Sequence, residues 1–186
     1  MVYQESGLSF RFDSSWQVKA YDKHRFYQGL SGAGLSGVDF IGLRRGQLYF
    51  FEVKNYRRRQ DWQQLNPFDE IAKTPTLLSG AMAKKVEDTL LGLDAIGQYY
   101  QRKWLFRQLM PLLLTRIPPS REWAFWARAY TLSKLEQQPT SVLWLETEQP
   151  QLELRAELTR QIKALLPGRT CLMGNGENGL PGVEVE

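Results

Sequence analysis

In the stretch Gly37-Val-Asp-Phe-Ile-Gly-Leu-Arg-Arg-Gly-Gln-Leu-Tyr-Phe-Phe-Glu-Val-Lys-Asn55, two apolar runs flank a short polar link. The runs cover residues 38–43 and 48–53, and the link between them contains Arg44, Arg45 and Gly46. Two short apolar runs joined by a Gly-containing turn are typical of antiparallel strands. We therefore predict a β-hairpin here.

Charged residues interrupt both apolar runs. Asp39 lies in the first run, and Glu52 and Lys54 lie at the end of the second. Because strand side chains alternate between faces, Glu52 and Lys54 should share one face. Buried charges are costly unless they are paired or bind a metal, so the pattern predicts two carboxylates and an ammonium that converge on adjacent strands. The alternative is a solvated surface ion pair, but the second run is apolar on both faces, which favours an internal strand.

Such a trio suits metal-assisted phosphodiester hydrolysis. Hard cations such as Mg²⁺ bind through one or two carboxylates and keep water and phosphate oxygens as their other ligands. The cation polarises the phosphate and activates water. A neighbouring lysine can orient that water or neutralise charge that develops on the phosphate. Mg²⁺ or Mn²⁺ is therefore the expected cofactor.

The spacing of these residues resembles that of a known family. Asp39, followed after twelve residues by Glu52-Val53-Lys54, is similar to the motif of the PD-(D/E)xK nuclease superfamily, which has the restriction-endonuclease-like fold. The resemblance covers roughly residues 8–60 and, more loosely, the helix that follows. It implies that Asp39 and Glu52 bind the metal, that Val53 lends a backbone carbonyl, and that Lys54 serves catalysis.

The resemblance also directs attention to residues outside the motif. Val38 stands where the family nominally has a proline. Family members often carry an extra carboxylate on a helix before the first core strand, but only seven residues precede Leu8, which leaves Glu5 and Asp22 as alternatives. The helix after the E-x-K strand often supplies a further Lys, Arg or Gln to the site, and Lys85 is the candidate for that role.

Hydrophobic periodicity predicts the other elements. A long helix is expected over about 76–104, because apolar or small residues recur there every three or four positions: Leu78, Met82, Val86, Leu90, Leu93 and Gly97. Strands are predicted at 8–12, 16–21, 123–130 and 141–146, a short helix is one option at 22–30, a final helix is predicted at 151–166, and 183–186 suits an edge strand. The order predicts an α/β fold, with a mixed central β-sheet flanked by helices. At 186 residues, the chain is expected to form a single nuclease-like domain, whose C-terminal strands and helix occupy 121–186.

The net charge of +4 is unevenly distributed. Residues 1–135 hold 20 Lys and Arg against 12 Asp and Glu, whereas residues 136–186 hold 4 against 8. The excess of positive charge around the motif predicts a polyanionic partner, namely nucleic acid and more readily DNA than RNA. The consecutive Arg57, Arg58 and Arg59 are candidates to bind backbone phosphates, with a solvated turn as the alternative.

Composition excludes several classes of protein. A single cysteine, Cys171, rules out an intramolecular disulfide and a cysteine-based metal site, and the lone His24 has no second histidine for a zinc site. No apolar run approaches the length of a membrane span, and the N-terminus lacks the pattern of a signal peptide. We expect a cytoplasmic nuclease, either an endonuclease or an exonuclease. A homodimer would supply two sites for cutting two strands. The alternative is an inactive nuclease-like module that binds nucleic acid or a protein partner.

Overall fold

The computed structural model describes residues 1–32, 34–57, 74–102, 121–135, 138–148, 151–177 and 179–186. Its elements, in chain order, are β1 (Val2–Glu5), β2 (Leu8–Phe12), β3 (Trp16–Ala20), α1 (Arg25–Ser31), β4 (Phe40–Arg44), β5 (Gln47–Asn55), α2 (Pro75–Gln101), α3 (Glu122–Ser133), β6 (Thr140–Glu146), α4 (Leu152–Leu165), β7 (Cys171–Gly174) and β8 (Val183–Val185). Within these described ranges, no helix combines the length and the apolar character that crossing a membrane would require.

The predicted hairpin is confirmed. Strands β4 and β5 pair antiparallel, with Phe40 opposite Phe51 and Arg44 opposite Gln47. The two residues between them, Arg45 and Gly46, have φ angles of 48° and 76°. Positive φ at both central positions is the backbone of a tight hairpin turn whose twist matches that of the strands. Glycine adopts this conformation without steric cost, which explains why the polar link contains one.

The hairpin lies inside a five-stranded mixed sheet of order β3-β4-β5-β6-β7. Strands β3, β4 and β5 are antiparallel, whereas β6 pairs parallel with both β5 and β7. Strand β5 is therefore central, and four consecutive residues in it, 50–53, are buried. The mixed sheet flanked by helices, predicted from the order of elements, is confirmed.

The two faces of this sheet are covered differently. Helices α2, α3 and α4 cover one face, where their apolar residues form a core with Phe50, Leu143 and Leu145. A second, three-stranded antiparallel sheet of order β1-β2-β8 covers the other face, where its phenylalanines pack against Phe51 and Trp144. The molecule thus has three layers, and the strands do not all join one central sheet as expected. Strands β1 and β7 were not among the predicted elements.

The strand predicted at 123–130 is wrong, because these residues form helix α3. Its aromatic residues alternate with small ones, which imitates a strand pattern. In the structure a continuous run is buried instead, from Ala124 to Ala127, with Ala129 beyond it. Alanine is the best helix former, and the buried run packs against α2 and β5.

The two longer helices are found as predicted, with one change of detail. Helix α2 covers the expected stripe and ends at Gln101, with Arg102 just beyond it, and residues 103–104 of the predicted range lie outside the described residues. Helix α4 buries Leu154, Leu158 and Ile162, which are four residues apart. Leu152 and Leu165, the apolar residues at the two ends of this helix, are 75% and 48% exposed.

Candidate active site

Four of the predicted residues meet beside the C-terminal end of β5. Glu52 and Lys54 project from β5 toward α2, Asp39 immediately precedes β4, and Lys85 reaches them from α2. Lys54 Nζ lies 2.7 Å from Glu52 Oε1, and Lys85 Nζ lies 3.7 Å from Asp39 Oδ1. The two carboxylates are nearly inaccessible, since the Asp39 side chain is 10% exposed and that of Glu52 only 2%.

Backbone pairing fixes the position of Asp39. Its N–H donates to the carbonyl of Phe51 at 2.9 Å, and its own carbonyl accepts from the N–H of Tyr21 at 2.8 Å. Its side-chain Oδ2 accepts from the N–H of Val53 at 2.6 Å. The carboxylate thus pairs with β5 just before β4 begins. Because the N–H and C=O of a strand residue face the same neighbouring strand, the Val53 carbonyl also faces this side.

Helix α2 holds the segment that leads into Asp39. The N–H of Val38 donates to the buried hydroxyl of Thr89 at 3.1 Å, and the N–H of Ser36 donates to Asp88 at 2.8 Å. Gly37 passes so close to two aromatic rings that a Cβ there would lie 2.8 Å from Tyr27 and 2.9 Å from Tyr21. No side chain fits in that space, so glycine allows the backbone to reach the site.

Lys85 makes the most extensive contacts with the carboxylates. Its Nζ donates to both oxygens of Glu52, at 2.7 and 2.8 Å. Lys85 directly precedes the fully buried Val86 on α2, so its stem lies at the edge of the buried stripe and its ammonium reaches the site. Lys85, the candidate on the helix after the E-x-K strand, thus lies at the carboxylates of Asp39 and Glu52.

The burial of like charges perturbs the acid–base properties of the site. Burial raises the pKa of Asp39 to about 7, and the charge of Glu52 adds to the shift, whereas Lys85 and the Val53 N–H oppose it. Burial by itself lowers the pKa of Lys54, but the charge of Glu52 and its hydrogen bond outweigh burial, so this pKa lies above its ordinary value. Lys54 is therefore an ammonium at neutral pH.

Glu5 and Asp22, the alternatives for an extra carboxylate, both lie near the site. The charge of Glu5 influences Asp39 and Lys54, and its Oε2 accepts from Lys23 at 2.8 Å. The Asp22 Oδ1 atom is buried and accepts no hydrogen bond from the part of the chain that the structure describes. Burial raises the pKa of Asp22, and the charge of Glu5 adds to this effect. Both alternatives remain open, although only Asp22 carries a buried oxygen that lacks a donor among those residues.

Arg57, a candidate to bind phosphate, pairs with a buried carboxylate, and its contact with phosphate stays a prediction. Its guanidinium lies 2.8 Å from the Glu146 carboxylate, whose side chain is 3% exposed. Glu146 also accepts from the indole N–H of Trp144 at 2.9 Å and from the N–H of Gly176 at 2.6 Å. Trp144 belongs to the core on the sheet face opposite Glu52. Glu146 thus links the end of β6 to Gly176 in the C-terminal loop, and Arg57 pairs with this carboxylate. Arg58 and Arg59 lie outside the described residues.

Two further residues, Tyr56 and Thr89, lie near the site. Tyr56 packs against the helical core, and burial together with the charge of Glu52 raises the pKa of its phenol to about 12. Thr89 is fully buried and holds the backbone of Val38. A threonine on the buried stripe of a helix was the available signal, because a buried hydroxyl requires a partner.

The residues present suit a hard cation. Within the described ranges, no three His, Cys, Asp or Glu side chains gather closely enough to hold a metal by themselves. However, Mg²⁺ needs only one or two protein carboxylates when substrate phosphate and water complete its shell. Asp39 and Glu52 provide these carboxylates, the Val53 carbonyl faces the same side, and the Asp22 oxygen without a donor lies nearby.

Comparisons of the chain with models of protein families, with characterised proteins and with solved structures give no match. The functional assignment therefore rests on the geometry of the site.

Proposed function

We propose that this chain is a divalent-metal-dependent phosphodiester hydrolase that acts on nucleic acid, more readily on DNA than on RNA. The observation that carries the proposal is the meeting of Asp39, Glu52 and Lys54 on one side of the hairpin, with both carboxylates buried and a second lysine, Lys85, on them. Structural charges of this kind are usually placed at the surface, because burial without a compensating role is costly.

The proposal includes the family that the motif resembles. The spacing of Asp39 and Glu52-Val53-Lys54 resembles that of the PD-(D/E)xK nucleases, and a mixed sheet with helices on one face is consistent with a restriction-endonuclease-like fold. Cytoplasmic location, and a homodimer that places two sites on two strands, belong to the same proposal.

Each residue has a role that follows from its position. Asp39 and Glu52 would hold Mg²⁺ or Mn²⁺, with the Val53 carbonyl as a further oxygen ligand. When bound, such an ion polarises the phosphodiester and lowers the pKa of a coordinated water. Lys54, which remains protonated, stabilises negative charge on the phosphate oxygens as the transition state forms. The hydrogen bond from Val53 to Asp39 keeps one carboxylate in place throughout the reaction.

A nuclease-like module that binds nucleic acid or a protein without cutting is the second candidate. The observation that favours it is the pairing of Glu52, because lysine ammonium groups already contact both of its oxygens. A carboxylate paired in this way is a stable structural feature that needs no metal. Cleavage and binding must therefore be measured separately.

A cleavage assay tests the proposal. Plasmid, linear duplex and single-stranded DNA, together with RNA, are incubated with the protein and Mg²⁺, Mn²⁺ or a chelator. Metal-dependent cleavage is expected, and Asp39→Asn and Glu52→Gln should each abolish it. Asp94→Asn is the matched control, because Asp94 is an acid of α2 that pairs with Lys134 beside α3 and not with the site. Binding without cleavage in either metal would favour the second candidate, and full activity in both site variants would overturn the proposed site.

A further inference from the structure

Three carboxylate oxygens surround one ammonium group. Lys85 Nζ lies 2.7 and 2.8 Å from the two oxygens of Glu52 and 3.7 Å from Asp39 Oδ1. The remaining Asp39 oxygen is engaged by the backbone of Val53. Lys85 Nζ is thus located where the available oxygens of both carboxylates converge.

We propose that Lys85 and a divalent cation bind these carboxylates in a mutually exclusive way, so that Lys85 sets the affinity of the site for metal. This inference rests on the proposed function, because it concerns the same site. A magnesium ion binds carboxylate oxygens at about 2.0–2.1 Å. An ammonium that holds the same oxygens would lie within a few ångströms of the dication, and their repulsion in a poorly hydrated site is strong.

The Lys85 side chain is able to move away from the carboxylates. It is 26% exposed, and a flexible four-carbon stem connects its ammonium to α2. It can therefore swing toward solvent while the helix backbone stays in place. The displaced ammonium would remain on a helix that faces the site, within reach of a phosphate oxygen.

Lys54 provides an internal comparison. Like Lys85, it carries a positive charge, and it lies 2.7 Å from one Glu52 oxygen. Among the described residues, however, only Lys85 forms an ion pair with Asp39. Removal of either lysine deletes one positive charge and should strengthen cation binding electrostatically. Only the removal of Lys85 should also vacate the position where the carboxylates converge.

Isothermal titration with Mn²⁺, without nucleic acid, distinguishes these effects in the wild type, Lys85→Met and Lys54→Met. We expect Lys85→Met to bind Mn²⁺ at least tenfold more tightly than Lys54→Met, which should itself bind at least as tightly as the wild type. Equal affinities in the two variants, or weaker binding by Lys85→Met, would overturn the inference but would not contradict the proposed metal site. No Mn²⁺ binding by any of the three proteins would overturn the inference, whereas the proposed function is decided separately by metal-dependent cleavage, in which substrate phosphate completes the shell of the ion.

A second measurement uses the wild-type chain and does not depend on the folding of a variant. The rate at which a mild acylating reagent modifies Lys85 is followed by peptide mass spectrometry with and without saturating Mn²⁺. Displacement of Lys85 predicts a severalfold faster modification in Mn²⁺, whereas Lys134, paired with Asp94 far along α2, should not change. An unchanged rate at Lys85 in a protein that binds Mn²⁺ would contradict the exchange.

Discussion

The carboxylate of Asp39 accepts a 2.6 Å hydrogen bond from the backbone N–H of Val53, the residue between Glu52 and Lys54. One oxygen of Asp39 thereby pairs with the edge of β5 just before β4 begins, and the other points toward Lys85. The same side chain thus belongs both to the sheet and to the candidate active site. Any change at Asp39 should consequently appear in stability as well as in activity.

Asp39→Asn should change how stability depends on pH. Burial and the charge of Glu52 raise the pKa of Asp39 from 3.8 to about 7, so the folded chain keeps a proton that the unfolded chain releases. Stability from this group is fully present below pH 3.8 and is lost as the pH rises toward 7, by at most about 1.4 kcal/mol for each pH unit. The asparagine oxygen can still accept from Val53 but carries no charge. In urea unfolding at pH 4, 5.5 and 7.5, the unfolding free energy of Asp39→Asn should increase relative to that of the wild type as the pH rises.

The prediction is contradicted if the difference in unfolding free energy between Asp39→Asn and the wild type stays constant over these three pH values. A constant difference would mean that Asp39 ionises as readily in the folded chain as in the unfolded one. The carboxylates of the site would then be better hydrated than their burial indicates.

Gly97→Ala should destabilise the contact between α2 and α3. A Cβ at Gly97 would lie 2.6 Å from Cγ of Tyr130, so the helices would have to separate. Overpacking of this kind costs about 1–3 kcal/mol of unfolding free energy. Gly80→Ala in the same helix is the control, since a Cβ there meets nothing within 4 Å, and it should stabilise by about 0.5–1 kcal/mol. Thermal and urea unfolding of both variants test the packing, and a stabilised Gly97→Ala protein would contradict it.

The hairpin and the meeting of Asp39 with Glu52 could be predicted because local chemistry determines them. A turn that contains Gly46 between two apolar runs allows few structures, and charges inside buried strands must find partners. Helix α3 could not be identified in this way, because the order of its aromatic and small residues imitates a strand. Packing against α2 and β5, distant in sequence, selected the helix.

Partners far along the chain limited the other predictions. The phosphate contact that the consecutive arginines predict for Arg57 stays a prediction, but their pattern does not reveal that Glu146, 89 residues away, pairs with this side chain. The pairing of β1 with β2 is local, across the two residues Ser6 and Gly7, but the separate sheet that they form is completed by β8, far along the chain. The position of Lys85 was proposed from the resemblance to a family, since helical periodicity by itself placed it only beside a buried stripe.

Arg57→Ala should lower the unfolding free energy of the protein even when no ligand is present. The change leaves the buried Glu146 carboxylate without its cation, which costs about 1–3 kcal/mol, because a charged group loses a hydrogen-bond partner. Glu146→Gln retains an acceptor for Trp144 and Gly176, so Arg57→Ala should cost less in that background. Urea unfolding of the two single variants and the double variant measures this coupling.

A phosphate-binding role for Arg57 predicts the opposite pattern. Stability would be unchanged, nucleic-acid binding would weaken, and the salt slope would become shallower by about one unit. The Arg58→Ala/Arg59→Ala double variant tests the remaining arginines without removing the partner of Glu146.

Lys54→Ala should separate cleavage from binding. Lys54 shares a strand face with Glu52 and remains protonated, so its charge is most useful when negative charge develops on the phosphate. An interaction that acts mainly in the transition state contributes to kcat more than to affinity. We expect cleavage to fall by about 10²–10³-fold, as when a single donor to a developing oxyanion is lost, with nucleic-acid affinity within severalfold of the wild type. Single-turnover cleavage rates and equilibrium binding in Ca²⁺ give the two quantities.

The control for this prediction is Lys134→Ala, which removes an equal charge from the pair with Asp94 and should leave both quantities unchanged. Glu52→Gln gives a contrasting pattern, because it should weaken metal binding and cleavage together. If Lys54→Ala lowers binding and cleavage in equal proportion, the lysine contributes to ground-state binding, and the transition-state role is wrong. If it changes neither, while the wild type binds nucleic acid and cuts with neither Mg²⁺ nor Mn²⁺, the buried trio is a structural ion-pair network in a binding module.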